Sequence, residues 1–252
     1  MCRIAFISPL GGVGRTTLAA HLATLLAQRG VPTLAVDLSA QNALGLHLGL
    51  SEPPAIGWQT TMARGHWWGN SALENSAGVR LLPHGNPNAD VNTLCQAPGW
   101  LNAQLAGLDL PTGSALVIDT PPLPAPLAMQ AASCADVAVL TLDATVRSLQ
   151  LHGAFKEFLA SLPASVRWVV SITGVDPRSV LRREALRTLR QQWQDSLIPY
   201  PLHADDNVQQ AQAQALCVHQ SAPQAQSAHD MQGMASWLAR FSGLAAAGEG
   251  AS

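Results

Sequence analysis

The chain has few charged residues and very little lysine. Only 12% of its 252 residues are Asp, Glu, Lys or Arg, the formal net charge is −2, and Lys156 is the single lysine. Proteins that bind the nucleic-acid backbone by charge carry a basic surface. The composition therefore predicts no nucleic-acid partner.

Cysteine is scarce and scattered along the chain. The four cysteines (Cys2, Cys95, Cys134 and Cys217) contain no Cys-x-x-Cys pair, and the eight histidines show no ligand spacing. Zinc sites and disulfide frameworks have characteristic spacings. We therefore expect neither of them, and no metal site built by the histidines.

Long apolar runs are missing as well. No uninterrupted run approaches the roughly 18 residues that suggest a membrane-spanning helix. The first residues read directly as a strand and show no signal-peptide pattern. We therefore expect a protein of the reducing cytoplasm.

Hydrophobic residues, by contrast, are plentiful. They make up 48% of the chain, which is enough at this length for one large domain with a substantial core. We assign this domain to residues 1–243. The remaining residues, 244–252, are rich in Ala and Gly, and we expect a disordered tail.

A glycine-rich stretch lies between a strand-like run (Ile4 to Ile7) and a helix-like run (Leu18 to Gln28). Glycine lets the backbone approach a ligand closely, so that successive N–H groups converge on phosphate oxygens, and the helix adds its N-terminal dipole. An ordinary glycine turn is the alternative, but Thr16 stands where a P-loop hydroxyl reaches Mg²⁺. We expect a nucleotide phosphate at Gly11, Gly12, Val13, Gly14, Arg15, Thr16 and Thr17.

Two further apolar runs end in carboxylates. Thr33 to Val36 precedes Asp37, and Ala115 to Ile118 precedes Asp119. Buried apolar strands of this kind are typical of parallel sheets, whose ligands gather at the carboxyl ends of the strands. Together with the glycine loop, this pattern predicts a Mg²⁺ site at Thr16, Asp37 and Asp119, with Asp119 acting through water.

The remaining periodicity predicts an α/β fold with a mostly parallel twisted sheet and helices on both faces. Further strands are expected at Gly78–Pro83, Asp136–Leu142, Val166–Thr173 and Leu197–Pro199. Helices are expected at Leu127–Ala132, Ser148–Leu162 and Val180–Trp193, from Asp206 onward, and at Ala228–Phe241.

Four tryptophans are concentrated in a loop-rich region between Leu50 and Trp100. They are Trp58, Trp67, Trp68 and Trp100. Tryptophan is favoured at protein–protein hot spots, but large aromatic side chains are more often buried. We therefore favour packing over a partner surface.

The last helix carries one apolar stripe, formed by Met231, Met234, Trp237, Leu238 and Phe241. Such a helix could lie on a membrane or pack into the core. A membrane-surface helix needs a basic polar face, and this one has only Arg240. We therefore expect core packing.

The glycine loop resembles the deviant Walker A motif of the ParA/MinD-like ATPases. In that family one lysine precedes the first glycine and another follows the third, whereas Leu10 and Arg15 occupy these positions here. The family also has a second acidic residue after the strand that ends at Asp37, which orients the attacking water, and here it is Ser39. The resemblance implies bound ATP or ADP with Mg²⁺.

The two replacements affect catalysis more than binding. Arg15 keeps a positive charge that can pair with phosphate oxygens. Ser39 has no negative charge with which to polarise water, and Leu10 carries no charge at all. We therefore name no catalytic residue and expect little or no hydrolysis.

The segment from His203 to Ala211 resembles a stretch of the BcsQ/YhjQ proteins of bacterial cellulose synthesis operons, whose P-loops also lack both lysines. Asp143-Ala144 and Ile172-Thr173 fit the same group, with Thr173 in place of the usual Asn. In the wider ParA/MinD family this region borders the adenine base. The resemblance therefore implies base contacts from Thr173, Pro201, Leu202 and His203.

The resemblance also implies a homodimer that encloses two nucleotides. Such a dimer would be an accessory and localisation factor of a cellulose synthase and secretion complex. Its partners would be cytosolic subunits of that complex, and it would reach the inner membrane only through them.

Two alternatives remain open. One is an active ParA/MinD-type positioning ATPase. The other is an exopolysaccharide tyrosine kinase, which is disfavoured because these kinases phosphorylate a tyrosine cluster and Tyr200 is the only tyrosine.

Overall fold

A seven-stranded sheet forms the centre of the computed structural model, which describes residues 1–244. The strand order is β3-β4-β2-β5-β1-β6-β7, and all neighbours are parallel except β3 and β4. The strands are β1 (Cys2–Ile7), β2 (Thr33–Asp37), β3 (Leu73–Glu74), β4 (Val79–Leu82), β5 (Ala115–Asp119), β6 (Val137–Asp143) and β7 (Arg167–Thr173). The predicted α/β fold with a mostly parallel sheet is confirmed.

Helices cover both faces of the sheet. They are α1 (Arg15–Gln28), α2 (Leu44–His47), α3 (Trp58–Ala63), α4 (Ala89–Leu94), α5 (Trp100–Ala106), α6 (Pro126–Cys134), α7 (Val146–Gln150), α8 (His152–Ala160), α9 (Val180–Trp193), α10 (Asp206–Ala213), α11 (Val218–Ser221) and α12 (Gln226–Phe241). Side chains of β1 alternate between two cores: Ile4 and Phe6 join one cluster, Ala5 and Ile7 the other. None of the helices between residues 1 and 244 has the length and hydropathy to cross a bilayer.

The apolar stripe of the last helix packs into the core, as expected. Met231, Met234 and Leu238 are buried in the same cluster as the apolar face of α1. Trp237 and Phe241 are partly buried against this cluster and stack on each other with ring centroids 4.8 Å apart. This packing fixes α12 beside the helix that follows the glycine loop.

The tryptophan-rich segment is mainly a packing element. Trp58 and Trp68 are fully buried, and both rings lie within about 6 Å of Trp100. The expected packing is therefore correct for these rings, whereas Trp67 is 46% exposed. The segment also contains α3 and α4, where the sequence pattern indicated loops, and it ends at the first residue of α5.

Two predicted elements differ from the structure. The helix expected at Ser148–Leu162 is two helices, α7 and α8, which meet at Leu151. Hydrogen bonds from Thr145 and Ser148 to Asp143 fix α7 against the end of β6, and Gly153 weakens helical continuity at the start of α8.

The strand expected at Leu197–Pro199 is reduced to a single bridge between Leu197 and Val170. A proline has no N–H to donate to a ladder; Pro199 ends this segment and Pro201 follows it closely. Ile198 still donates its N–H to the carbonyl of Val170 at 2.9 Å. Leu244 packs in the core, and the rest of the predicted tail, residues 245–252, lies outside the described residues.

Candidate functional site

The glycine loop leads from the buried strand β1 into the first turn of α1. Gly12 and Gly14 adopt backbone φ angles of +74° and +89°, which residues other than glycine rarely adopt. Gly14 caps the helix, and its carbonyl accepts the N–H of Leu18 at 2.9 Å. The loop therefore presents backbone N–H groups and a helix N-terminus at one edge of the sheet, an arrangement that binds phosphate.

The hydroxyl of Thr16 donates a 2.7 Å hydrogen bond to Oδ2 of Asp119. Thr16 lies in the first turn of α1, whereas Asp119 is the last residue of the adjacent strand β5. The structure therefore brings together two of the residues expected to bind Mg²⁺. No local sequence feature joins them, because they are 103 positions apart.

The other oxygen of Asp119 is buried and has no hydrogen-bond partner among the described residues. A buried carboxylate oxygen without a partner costs free energy unless a cation or donor meets it. Mg²⁺ prefers oxygen ligands, so this atom and the Thr16 hydroxyl fit the ion. They would hold it, and the bound ion would supply positive charge next to the phosphates.

Burial raises the pKa of the Asp119 carboxyl above its usual range, although the hydrogen bond from Thr16 and the nearby Arg15 oppose this shift. Asp37 lies opposite Asp119 in the parallel pairing of β2 with β5. Burial, and then the neighbouring charge of Asp119, raise the pKa of Asp37 too. A cation bound between these two carboxyl groups would stabilise the ionised form of both.

Both carboxylate oxygens of Asp37 already accept hydrogen bonds from the backbone. Its Oδ1 accepts the N–H of Ser39 at 2.9 Å, and its Oδ2 accepts the N–H of Leu44 at 3.0 Å. The carboxylate therefore orders the turn that leads into α2. Its part in binding Mg²⁺ remains a prediction.

Arg15 points back toward the end of β1. Its guanidinium donates to the carbonyl of Ser8 at 3.0 Å. Burial lowers the pKa of Arg15, while Asp119 opposes this effect; the side chain stays positive at neutral pH. The backbone N–H of Leu10 donates to the Ser8 hydroxyl at 3.1 Å.

Ser39 lies in the turn after β2 and is 6% exposed. Its hydroxyl accepts the N–H of Gln41 at 3.3 Å, and its carbonyl accepts the N–H of Asn42 at 2.9 Å. These bonds make Ser39 a structural turn residue. A hydroxyl used in this way adds no negative charge to the site.

Thr173 connects the glycine loop to the end of β7. Its hydroxyl donates to the carbonyl of Val13 at 2.8 Å, and the carbonyl of Leu142 lies 3.3 Å away. Its methyl group also faces Gly14, where an added Cβ would lie 3.9 Å from Cγ2. The residue expected to border the base therefore lies against the phosphate loop itself.

The segment with Pro201, Leu202 and His203 runs beside the end of β7. The N–H of Leu202 donates to the carbonyl of Ile172 at 2.8 Å. Asp230 was not evident from the sequence: its Oδ2 accepts the His203 N–H at 3.0 Å and lies 2.8 Å from the His203 ring nitrogen. Asp230 thus holds the expected base-bordering segment against α12.

Comparison with known proteins places the chain in a family. The family model "Cellulose biosynthesis protein BcsQ" matches residues 1–239. The BcsQ protein of Salmonella typhi is 25% identical over 244 residues, which cover 90% of each chain. The chromosome-partitioning ATPase Soj of Thermus thermophilus is 28% identical over 240 residues, covering 90% of this chain and 91% of Soj.

A third relative matches only in part. The uncharacterized protein SCO2128 of Streptomyces coelicolor is 32% identical over 143 residues. This match covers 52% of the present chain and 37% of that relative, so the chain spans well under half of its length.

The fold is that of the ParA/MinD P-loop NTPases. The septum site-determining protein MinD of Pyrococcus horikoshii, solved as a complex with Mg-ADP, superposes with a TM-score of 0.72 at 18% identity, covering 97% of this chain and 98% of MinD. The whole-length family match, the glycine loop and the Thr16–Asp119 pair agree. The chain belongs to the BcsQ family of cellulose biosynthesis proteins, built on a ParA/MinD-like P-loop fold.

Proposed function

We propose that this protein is a nucleotide-binding homodimer that serves as an accessory and localisation factor of a bacterial cellulose synthase and secretion complex, with little or no ATP hydrolysis. One observation carries the proposal. The Thr16–Asp119 pair and the glycine loop retain the means of gripping phosphate and Mg²⁺, whereas the positions that support hydrolysis in the family hold Leu10 and Ser39.

The groups that would bind the nucleotide support this proposal. Glycine backbone, helix N-terminus, hydroxyl and carboxylate lie together at the carboxyl edge of the sheet, where open α/β sheets bind ligands. The superposable MinD structure holds Mg-ADP. Adenine nucleotide with Mg²⁺ is therefore the ligand that these groups suit best.

The residues that support hydrolysis in the family are replaced in this chain. Phosphoryl transfer depends on charge stabilisation and on a positioned water. Leu10 supplies no charge, and the hydroxyl of Ser39 is engaged in its own turn. The nucleotide would then act mainly by stabilising an assembly that binds it, since a ligand bound only by the dimer favours the dimer by mass action.

The edge that carries the site is also suited to self-association. Gly11 and Gly12 are exposed there, and beyond the ends of β6 and β7 the side chains of Val146 and Leu181 are 53% and 70% exposed. Exposed aliphatic side chains next to a ligand site favour coverage by a second surface. Two copies meeting at this edge would cover both nucleotides.

The test combines nucleotide content with solution mass. We expect mass spectrometry of the purified protein to identify retained ATP or ADP, and light scattering to show a dimer when Mg-ATP is present. A monomer with and without nucleotide would contradict the dimer. The proposed complex is tested by using the protein to capture its partners from membranes of the source bacterium. We expect the wild-type protein to capture cellulose synthase subunits and the Asp119→Asn variant to capture fewer.

A second candidate, a positioning ATPase, is favoured by one surface. On α9 the arginines Arg183, Arg187 and Arg190 lie exposed along one stripe, and none forms an ion pair with a carboxylate within residues 1–244. Such a stripe could bind an anionic surface. Phosphate release stimulated by duplex DNA or anionic vesicles, and lost in an Arg183→Ala/Arg187→Ala variant, would favour this candidate.

A further inference from the structure

A cluster of three potential metal ligands lies away from the nucleotide edge. A ring nitrogen of His21, the thiol of Cys217 and a ring nitrogen of His219 all lie within 4.8 Å of one another. His21 is in the middle of α1, Cys217 is the N-cap of α11 and His219 lies in its first turn. The spacing of the histidines along the sequence did not predict this group, because folding brings His21 next to residues that lie far away in the sequence.

His219 is the member that calls for an explanation. Both of its ring nitrogens are buried and have no hydrogen-bond partner among the described residues, and the side chain is only 9% exposed. Leaving a buried polar group unpaired costs about 1–3 kcal/mol. An ion or a water is the usual reason for such a group.

His21 is oriented as a metal-binding histidine would be. Its Nδ1 lies 2.7 Å from the carbonyl of Thr17, an acceptor that fixes the N–H on this nitrogen and leaves the lone pair on Nε2. A backbone carbonyl in this role is a common outer partner of histidine ligands. Nε2 now accepts the N–H of Val218 at 3.0 Å, so a metal ion would replace this one donor.

The thiol of Cys217 has only weak partners. Its Sγ lies 3.5 Å from the Thr24 hydroxyl and 3.7 Å from the carbonyl of His47. Burial raises the pKa of Cys217 to about 11 and lowers the pKa of His21 to about 3. Burial lowers the pKa of His219 as well, so it favours the neutral form of both imidazoles, which is the form that binds a metal.

One thiolate and two imidazoles form a set that suits zinc-class ions, which bind Cys and His in tetrahedral sites. We propose that His21, Cys217 and His219 bind one Zn²⁺ ion per chain, with water in the fourth position. On binding, the Cys217 thiol loses its proton to solvent and its sulfur bonds to the metal. The ion would connect α11 to the helix that follows the glycine loop.

Cobalt(II) provides a direct test, since it replaces zinc and reports its ligands by absorption. The 252-residue chain, made without a polyhistidine tag and treated with chelator, is titrated with Co²⁺ and then with Zn²⁺. We expect a thiolate-to-cobalt charge-transfer band that saturates at one ion per chain, tetrahedral visible bands, and displacement by one equivalent of Zn²⁺. Absence of the charge-transfer band in the wild-type protein overturns the proposal without any variant.

Variants then identify the ligands. Cys217→Ser should abolish the charge-transfer band, and His21→Gln or His219→Gln should each weaken cobalt binding about tenfold or more. The matched control is Cys95→Ser, which alters another buried free thiol and should leave the band unchanged. A band lost in the control but kept in Cys217→Ser, or unaltered affinity in either histidine variant, contradicts the assignment.

A second control separates this site from the nucleotide site. Asp119→Asn removes a carboxylate from the expected Mg²⁺ site and should leave the cobalt titration unchanged. Loss of the cobalt bands in Asp119→Asn would place the cobalt at that edge and overturn the proposal. Circular dichroism of each variant shows whether it is folded, and the wild-type spectrum decides the question if one is not.

Discussion

Thr16 and Asp119, joined by a 2.7 Å hydrogen bond between hydroxyl and carboxylate, connect the first turn of α1 to the tip of β5. The bond leaves the second oxygen of Asp119 buried and unpaired among the described residues. This pair lies beside the glycine loop. Mg²⁺ and nucleotide binding should therefore depend on the same carboxylate.

Asp119→Asn should remove the part of nucleotide binding that depends on Mg²⁺. In the wild-type protein we expect a larger rise in melting temperature with Mg-ATP than with ATP and chelator. In the variant the two rises should be equal. The free energy of Mg-ATP binding should weaken by about 1.5–3 kcal/mol, the range for a hydrogen bond to a charged group. Asp90→Asn, on an exposed helix N-terminus, is the control. A Mg²⁺-dependent rise retained in Asp119→Asn would exclude this role.

Arg15→Ala should weaken ATP binding by about 1.5–3 kcal/mol, the loss expected for a charge-assisted contact. The recorded bond to the carbonyl of Ser8 uses only Nη1 of the guanidinium, which has further N–H groups to donate. Arg15→Lys keeps a compact positive charge and should retain part of the affinity. Isothermal titration calorimetry measures both. Arg29→Ala, at the other end of α1, is the matched control and should not change the dissociation constant. Equal affinity in wild type and Arg15→Ala would show that the guanidinium does not contact phosphate.

Trp58 is expected to stabilise the end of β2, where Asp37 lies. Its indole N–H donates to the carbonyl of Asp37 at 2.8 Å, and its ring is fully buried beside His84. Trp58→Phe removes the donor and leaves a small cavity, so the free energy of unfolding should fall by about 1–3 kcal/mol. Trp67→Phe, at a 46% exposed side chain, should change it by about 0.5 kcal/mol or less. Urea titrations measure the free energy of unfolding of both variants. Equal losses in Trp58→Phe and Trp67→Phe would contradict this prediction.

The sequence predicted the sheet edge well because its signals are local. The glycine loop and the carboxylates at the ends of β2 and β5 each depend on a few consecutive residues, and the parallel sheet aligns them. Strand β2 and helix α9 have the predicted bounds.

What the sequence did not predict depends on contacts between distant positions. Asp230 reaches His203 from α12, and Trp58 reaches Asp37 from α3. These contacts arise only when the elements pack, and periodicity carries no information about them.

Stability should fall as the pH is lowered through the histidine range. Burial lowers the pKa of His84 below 6.5, its value in the unfolded chain. A group with a depressed pKa in the folded state binds more protons when unfolded, so its contribution is present above pH 6.5 and is lost as the pH falls toward the folded pKa. His84→Gln should reduce the difference in unfolding free energy between pH 7.5 and pH 5.5. An unchanged difference would show that His84 is not protonated on unfolding.

The final prediction concerns turnover. A lysine that reaches across a dimer interface neutralises charge in the transition state, and removal of such a trans-acting cation costs on the order of 10³–10⁵ in rate. Leu10 cannot supply that charge. Ser39 cannot orient water as a carboxylate does. We therefore expect the unmodified protein to hold nucleotide and release phosphate very slowly or not at all.

Restoring both groups should restore part of the chemistry. Leu10→Lys/Ser39→Asp should release phosphate faster than either single variant, because the cation and the positioned water act on the same transition state. The new carboxylate lies two residues from Asp37, whose pKa is already raised by burial and by Asp119. Ser39→Asp should therefore lower stability, and rates must be compared at a temperature where all variants are folded. The control is Leu10→Met/Ser39→Asn, which changes the same positions without charge. Steady-state hydrolysis by the wild-type protein at the rate of an active ParA-like ATPase would refute the assignment of Leu10 and Ser39 as the cause of inactivity.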